Sequence, residues 1–226
     1  MPRLLIHVEG ETEEAFVNEM LRAHLISVGY ESVGARIVGN ARQRDRRGGI
    51  RPWPDVKRDI VRHLNQDPGC LSTTMIDYYA LPKTGSKAWP GRAAAGKKQF
   101  PEKAPTVHAA LAADMSGEFR GAKDRFIPFV MMHEFEALLF SDCAAFANAI
   151  GRPALEGALQ EVRDEFDCPE EINDSPLTAP SKRVEKLVKG YQKPIYGTIA
   201  ALGVGLPAIR AACPNFDAWI CDLESR

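Results

Sequence analysis

Apolar and polar positions along the chain switch between two periods. Leu4-Leu5-Ile6-His7-Val8 is a short, nearly continuous apolar run, the pattern of a strand covered on both faces. It ends abruptly at Glu9-Gly10. Phe16, Val17, Met20, Leu21, Leu25 and Val28 then recur at helical spacing until Gly29 stops them. Thr12 is the expected N-cap of this helix, with Glu13 and Glu14 complementing its dipole. Val33–Val38 reads as a second strand. Pro54 opens a helix that turns Val56, Ile60 and Leu64 inward, and Pro68-Gly69 closes it. Cys70–Ile76 is a third strand, with Asp77 at its carboxyl end. Leu81–Pro105 is rich in Gly, Pro and Lys, and a connection of that length is read as functional or disordered. Val107–Met115 is a helix. Phe126–Met132 is a fourth strand, in which Pro128 predicts an edge position or a bulge.

The order β-α-β-α-β-α-β predicts an α/β domain over residues 1–140, with a four-stranded, mainly parallel sheet flanked by helices. Right-handed crossovers would bring Glu9, Asp77 and His133 to one sheet edge. Residues 141–226 read as an all-helical region packed on that domain. Its candidate helices are Asp142–Ile150, Pro153–Phe166, Ser181–Tyr191, Ile195–Leu202, Pro207–Ala212 and Phe216–Leu223. Leu202-Gly203-Val204-Gly205-Leu206-Pro207 faintly resembles a DNA-binding hairpin, but glycine and proline there suit a plain helix-to-helix turn better.

Composition narrows the class without changing this outline. The chain has 226 residues, 45% hydrophobic and 26% charged, which is a globular balance. No apolar run approaches the roughly 18 residues of a membrane span, so no membrane association is expected. The first apolar run is too short for a signal peptide. Cys70, Cys143, Cys168, Cys213 and Cys221 are odd in number and widely spaced, without a C-x-x-C pair. They are read as reduced, mostly buried thiols of a cytoplasmic protein. The chain carries no G-x-x-x-x-G-K-[ST] loop and no G-x-S-x-G elbow.

The net charge of −1 conceals strong segregation. Bases crowd three stretches. The first runs from Arg36 to Arg58 and includes Arg42, Arg44, Arg46, Arg47 and Arg51. The second runs from Lys83 to Lys103 with Lys87, Lys97 and Lys98, and the third from Lys182 and Arg183 to Lys193. Between Glu156 and Asp174 acids dominate, with Arg163 the lone base. The first two basic stretches are interleaved with Trp53, Trp89 and Phe100, a combination that suits a polyanion with stackable bases. A nucleic acid is therefore the expected ligand, gripped by Arg42, Arg44, Arg46, Arg47, Arg51, Lys83, Lys87, Lys97, Lys98, Lys182 and Arg183.

Three acidic clusters fall where parallel α/β folds place ligands: Glu9 with Glu13, Asp77, and Glu134 with Glu136. Carboxylates converging on one edge repel one another unless a cation lies between them. Hard oxygen donors of this kind suit Mg²⁺ or Mn²⁺, and such an ion can polarise a phosphodiester and activate water. Glu9, Glu13, Asp77, Glu134 and Glu136 are thus the candidate ligands, and Glu9, Asp77 and His133 the candidate catalytic groups. Gly10 would let a phosphate approach closely. Taken singly, each residue has a plainer explanation. Glu13 suits a helix N-terminus, Asp77 a turn or cap, His133 a hydrogen-bonded partner, and one of Glu134 and Glu136 a solvated helix charge. His7, mid-strand, reads as core.

The Val8–Phe16 start, the strand-end Asp77 and the α/β order resemble a Toprim domain, the metal-dependent fold of topoisomerases, primases and overcoming-lysogenization-defect nucleases. More closely, six stretches are similar to the Toprim-like bacterial family catalogued as domain-of-unknown-function family 4276. They are Val8–Phe16, Ile76–Pro82, Arg125–Asp142, Pro169–Asp174, Pro180–Arg183 and Pro207–Leu223. The resemblance implies that Glu9 and Glu13 match the two glutamates of the nuclease branch, and Asp77 the first aspartate of D-x-D. The second aspartate is replaced by Tyr79, which puts two-metal chemistry in question; Glu134 or Glu136 would supply the missing carboxylate. It also implies a neighbourhood of AAA or ABC-type ATPases in prokaryotic defence loci.

The resulting expectation is a Mg²⁺- or Mn²⁺-dependent nuclease acting on DNA or RNA as a defence effector. Two alternatives stand beside it: a non-catalytic Toprim-like adaptor for an ATPase partner, and a metal-dependent enzyme acting on small nucleotides.

Overall fold

A computed structural model describes residues 1–38, 51–118, 121–172, 175 and 177–226. Strand β1 (Arg3–Val8) lies at the centre of a wholly parallel sheet, between β2 (Ser32–Ile37) and β3 (Cys70–Asp77). The expected fourth strand is broken in two. β4 (Phe126–Ile127) and β5 (Val130–Met131) each pair with β3, giving the order β2-β1-β3-β4 with β5 beyond β4 along the same neighbour. Pro128 has no N–H to donate, and the ladder lapses around it. The Thr74 hydroxyl fills the gap, donating to the Phe129 carbonyl at 2.7 Å and lying 3.1 Å from the Phe129 N–H.

The first helix starts earlier than expected. α1 (Glu11–Phe16) has Gly10 as its N-cap, with no side-chain cap, and Thr12 is buried inside it. A π-helical turn at Val17–Leu21 carries α1 into α2 (Arg22–Ser27), and Gly29, at φ 121°, ends the run. α3 (Trp53–Gln66) has Pro54 in its first turn and buries Trp53, Val56, Ile60 and Leu64. The Gly/Pro/Lys-rich connection is built, not open. It holds a short α4 (Arg92–Ala95), and α5 (Phe100–Met115) begins well before Val107. Pro105 inside α5 accounts for the difference: a proline usually marks a boundary, but here the helix continues through it with one backbone bond unmade. A one-turn α6 (Ala122–Arg125) leads into β4.

The remaining helices follow the expected pattern. A 3₁₀ segment (Phe135–Ser141) leads to α7 (Cys143–Ala149), capped by the Asp142 side chain. α8 (Glu156–Arg163), α9 (Pro180–Leu187), a π-helical turn (Lys193–Gly197), α10 (Thr198–Val204), α11 (Leu206–Ala212) and α12 (Pro214–Glu224) complete the chain. Gly205, at φ 82°, is the plain turn between α10 and α11, which bend by 84°. No single described helix is long and apolar enough to cross a membrane; Lys193–Val204 and Leu206–Ala212 reach that length and composition only when joined across the bend.

Two cores cover the two sheet faces. On one face Leu4, Ile6, Val8 and Met75 pack with Phe16, Leu21, Leu139, Phe146, Phe216 and Trp219. Residues from both expected regions share that single core, so the helical region is continuous with the sheet domain. Trp219 lies 4.2 Å from Phe129, ring centroid to ring centroid, and its indole N–H donates to Thr73. On the other face Ile76 and Tyr78 pack with Trp53, Ile60, Trp89, Val107 and Leu111. His7 is buried on β1 and stacks on His63 of α3, with centroids 5.3 Å apart.

A candidate metal centre at the sheet edge

The parallel strands deliver their acids to one edge, as the crossovers require. Side chains alternate along β3, so Asp77 shares a face with Thr73 and Met75 and looks toward the C-terminal helices. Glu9 follows β1 directly. Glu13, one turn into α1, is only 2% exposed. Gly10 lies close between them: a Cβ there would come within 3.2 Å of Glu13 Oε2.

After β5 the chain turns sharply at His133, the one described non-glycine residue with positive φ (63°). Left-handed backbone of this kind costs energy outside glycine and marks a constrained position. The turn swings Phe135 beneath β3, where its N–H donates to Asp77 Oδ1 at 3.0 Å. It also starts the 3₁₀ segment, whose residues Phe135 through Phe140 are all buried, Glu136 among them at 0% exposure. Glu134 accepts the Ser181 N–H at 2.9 Å, at the first turn of α9. Neither acid is therefore a solvated helix charge. The His133 ring itself lies edge-on to Tyr78, 6.0 Å between centroids.

The cation among these acids comes from a residue the sequence reading did not single out as a site residue. Lys193 Nζ lies 3.0 Å from Glu136 Oε2, 3.5 Å from Asp77 Oδ2 and 3.8 Å from Glu13 Oε1. Burial would lower its ammonium, but the charges of Asp77, Glu136 and Glu13 outweigh that and hold it well above the ordinary lysine value. Burial pushes Asp77 well above the usual carboxylate range, and raises Glu136 as well; Lys193 counters both shifts only in part. Glu9 is pushed up to about 7, by burial first and by the Glu13 charge second.

Four acids against one ammonium leave oxygen donors over. Glu9 Oε2 is buried without a hydrogen-bond partner, and the two buried oxygens of Glu136 face one ammonium, 3.0 Å from Oε2. A cleft of about 230 Å³, lined by Glu9 to Glu13, Lys193 and Pro194, opens beside them. Among the described residues no three His, Cys, Asp or Glu side chains already form a coordination group. The acids stand spaced around the ammonium instead. Glu9 Oε2, buried and without a hydrogen-bond partner, is a hard oxygen donor of the kind that Mg²⁺ and Mn²⁺ take.

The expected nucleic-acid residues divide. Lys83, Lys87, Lys97 and Lys98 are exposed, on the segment that leaves the same sheet edge after β3. Lys98 pairs with Glu102, and exposed Lys182 with Glu185. Arg183 is held by Glu165, the Thr178 carbonyl and the Phe166 ring. The Arg51 carbonyl accepts the Trp89 indole N–H. Arg42, Arg44, Arg46 and Arg47 lie outside the described residues. The expected aromatic platform is corrected: Trp53 and Trp89 are buried against each other, 5.0 Å between centroids, and Phe100 is half-buried on the same core. Apolar rings in a polar loop read alike whether they face solvent or anchor the loop inward.

The remaining family-like stretches have structural roles. Glu170, in the Pro169–Asp174 stretch, accepts the N–H groups of Asn215 and Phe216 and so caps α12. Pro180–Arg183 is the α9 turn that Glu134 holds. Three of the five free thiols, Cys70, Cys143 and Cys213, are buried.

No curated protein and no solved structure matches the chain. The family model for a domain of unknown function, DUF4276, matches residues 8–224, nearly the whole length, and the chain belongs to that family.

Proposed function

We propose that this protein is a divalent-metal-dependent phosphodiester hydrolase acting on a nucleic acid. The observation that carries the reading is the convergence of Glu13, Asp77 and Glu136 on one cation at the carboxyl edge of a parallel sheet, with the unpartnered Glu9 Oε2 beside the same cleft. Glu9, Asp77 and Glu13 would hold Mg²⁺ or Mn²⁺, which when bound supplies Lewis-acid polarisation of a phosphoryl oxygen and a more acidic water. The Lys193 ammonium, 37% exposed at the cleft, faces the position a phosphate would take and offsets its charge. Lys83, Lys87 and Lys97 offer a basic rim for the polyanion backbone. In a defence setting such a protein would act as the effector of an ATPase sensor.

The test is cleavage of single- and double-stranded DNA and RNA by the full chain with Mn²⁺ or Mg²⁺. Glu9→Gln and Asp77→Asn are expected to remove cleavage by a hundredfold or more without changing the circular dichroism spectrum. Cleavage that survives both changes would overturn the proposal.

One observation favours a second reading, the adaptor. Ile195, Ile199 and Leu202 are exposed by 54%, 44% and 45% at helical spacing, directly after Lys193. On that reading Ile199→Asp abolishes capture of an ATPase partner while Glu9→Gln leaves capture intact.

A further inference from the structure

We propose that the face built by α10, the π-helical turn before it and α7 docks a basic amphipathic helix of a partner protein. This docking deepens the adaptor reading, on which it rests in sharing the exposed stripe, and is independent of the metal centre. Ile195, Ile199 and Leu202 are exposed by 54%, 44% and 45% and follow one another at the spacing of one helix face. Apolar side chains exposed in a row, rather than scattered singly, mark interaction sites. α10 packs between α1 and α7. Gly203, one turn after Ile199, lies so close to α7 that a Cβ there would overlap Ala149 Cβ. Ala145 and Ala149 of α7 are half-buried beside it, so α7 forms only a low ridge next to the stripe. Neither Cys143–Ile150 nor Pro194–Ile209 contains a charged residue, in a chain that is 26% charged. A low, uncharged face with apolar anchors at helical spacing is the form that accepts an amphipathic helix.

Charge selects the occupant. α8 packs against α7, and between them opens a cleft of about 750 Å³. Its charged lining is Asp142, Glu156, Asp164 and Asp167 against Arg163, whose guanidinium is already bound to the Phe166 and Asp167 carbonyls at 2.6 and 3.1 Å. Ala144 lines the same cleft, so only the small side chains of α7 separate it from the apolar stripe. On the other flank, Glu11 of α1 and Glu19 of the π-helical turn that follows it are exposed. Among the described residues none of Glu11, Glu19, Glu156 and Glu161 has a salt-bridge partner. Arg152, just past the end of α7, is exposed and offsets them only in part. An apolar stripe between two acidic flanks fits a helix whose apolar face is bordered by Lys and Arg. The same acids disfavour other occupants. A second copy docked through a two-fold axis would set acid against acid, and an anionic membrane would meet like charge.

The probe is a fluorescent synthetic helix of Leu and Lys, about five turns long with its leucines on one face, added to the full chain. Anisotropy should show saturable binding, weakened about tenfold by Ile199→Asp and by Leu202→Asp. Glu156→Gln combined with Glu161→Gln should weaken it several-fold and flatten its salt dependence, which covers the case in which an aspartate variant does not fold. A scrambled peptide of the same composition, and a Leu–Glu counterpart, should bind at least about tenfold more weakly. No saturable binding by the wild type, equal binding of the scrambled peptide, or affinity unchanged in the folded variants would overturn the proposal. So would a dimer in sedimentation equilibrium that Leu202→Asp dissociates, which gives the face to a second copy. Binding to phosphatidylserine vesicles that the same variant loses would give it to a membrane and overturn the proposal likewise. Metal-dependent cleavage is read separately, so each of these failures leaves the nuclease reading standing.

Discussion

Glu136 at the sheet edge and Glu170 in the helical region are both withdrawn from water, at 0% and 1% exposure. Their surroundings differ in kind. Glu170 accepts two backbone N–H groups, at 2.7 and 3.1 Å, which are the orphan donors at the start of α12. Glu136 faces a single ammonium, 3.0 Å from its Oε2, in a nest of other acids. A buried carboxylate matched to helix donors belongs to the fold. One left short of donors among like charges is a cost the fold carries, and such costs gather at functional sites.

Breaking the first carboxylate should have the largest effect. Glu170→Ala leaves two buried N–H groups unmatched and should cost about 3 kcal/mol, roughly 10 °C in Tm for a chain of this size. Urea unfolding measures it, and a loss under about 1 kcal/mol would mean that water replaces the cap. Glu136→Gln should reverse the pattern. It removes a desolvated charge with little change of shape and leaves Lys193 with Asp77 and Glu13, so stability should shift by less than about 1 kcal/mol. Equal losses in both variants would erase the distinction.

A pH series sharpens it further. Glu9, like Glu170, is pushed to about 7 from an ordinary value near 4.5. A folded state that binds the extra proton gains stability below about pH 4.5 and loses it as pH rises through about 7. His7 runs the other way. Burial, with His63 and Arg36 nearby, lowers it to about 3, so its contribution is present above about pH 6.5 and lost as pH falls toward 3. In a plot of Tm against pH, Glu9→Gln should flatten the decline from about pH 4.5 to 7, and His7→Leu the rise from about pH 3 to 6.5. A variant that leaves its limb unchanged would show that another group sets it.

The smallest effect is expected at the exposed rim. Lys97→Ala should change stability by less than about 0.5 kcal/mol. If the rim contacts phosphate, the salt dependence of nucleic-acid binding should lose close to one unit of slope. An unchanged slope would leave the basic segment as a solvated face.

The edge itself was legible because periodicity locates strand ends, and a parallel sheet sends all its carboxyl ends one way. Glu9 and Asp77 were found by that route, and the acids of His133-Glu134-Phe135-Glu136 by following the fourth strand. Glu170 was hidden because it lies in an acidic run that reads as solvated surface until α12 comes to rest on it. Trp53 and Trp89 misled for the converse reason: basic loops with aromatic residues look alike whether the rings face nucleic acid or anchor the loop.

Local pattern was sufficient for the α/β order, the parallel sheet, the helical C-terminal stretch and the acids at the strand ends, since each depends on neighbours within a few turns of chain. The counter-ion of those acids was settled only by packing. Lys193 is 116 residues from Asp77 along the chain, and one basic residue among several in its stretch becomes distinct only when α10 docks beside α1. Propensity and periodicity are short-ranged, whereas desolvation and Coulomb energy depend on distance in space, and tertiary contact alone brings that ammonium among the carboxylates.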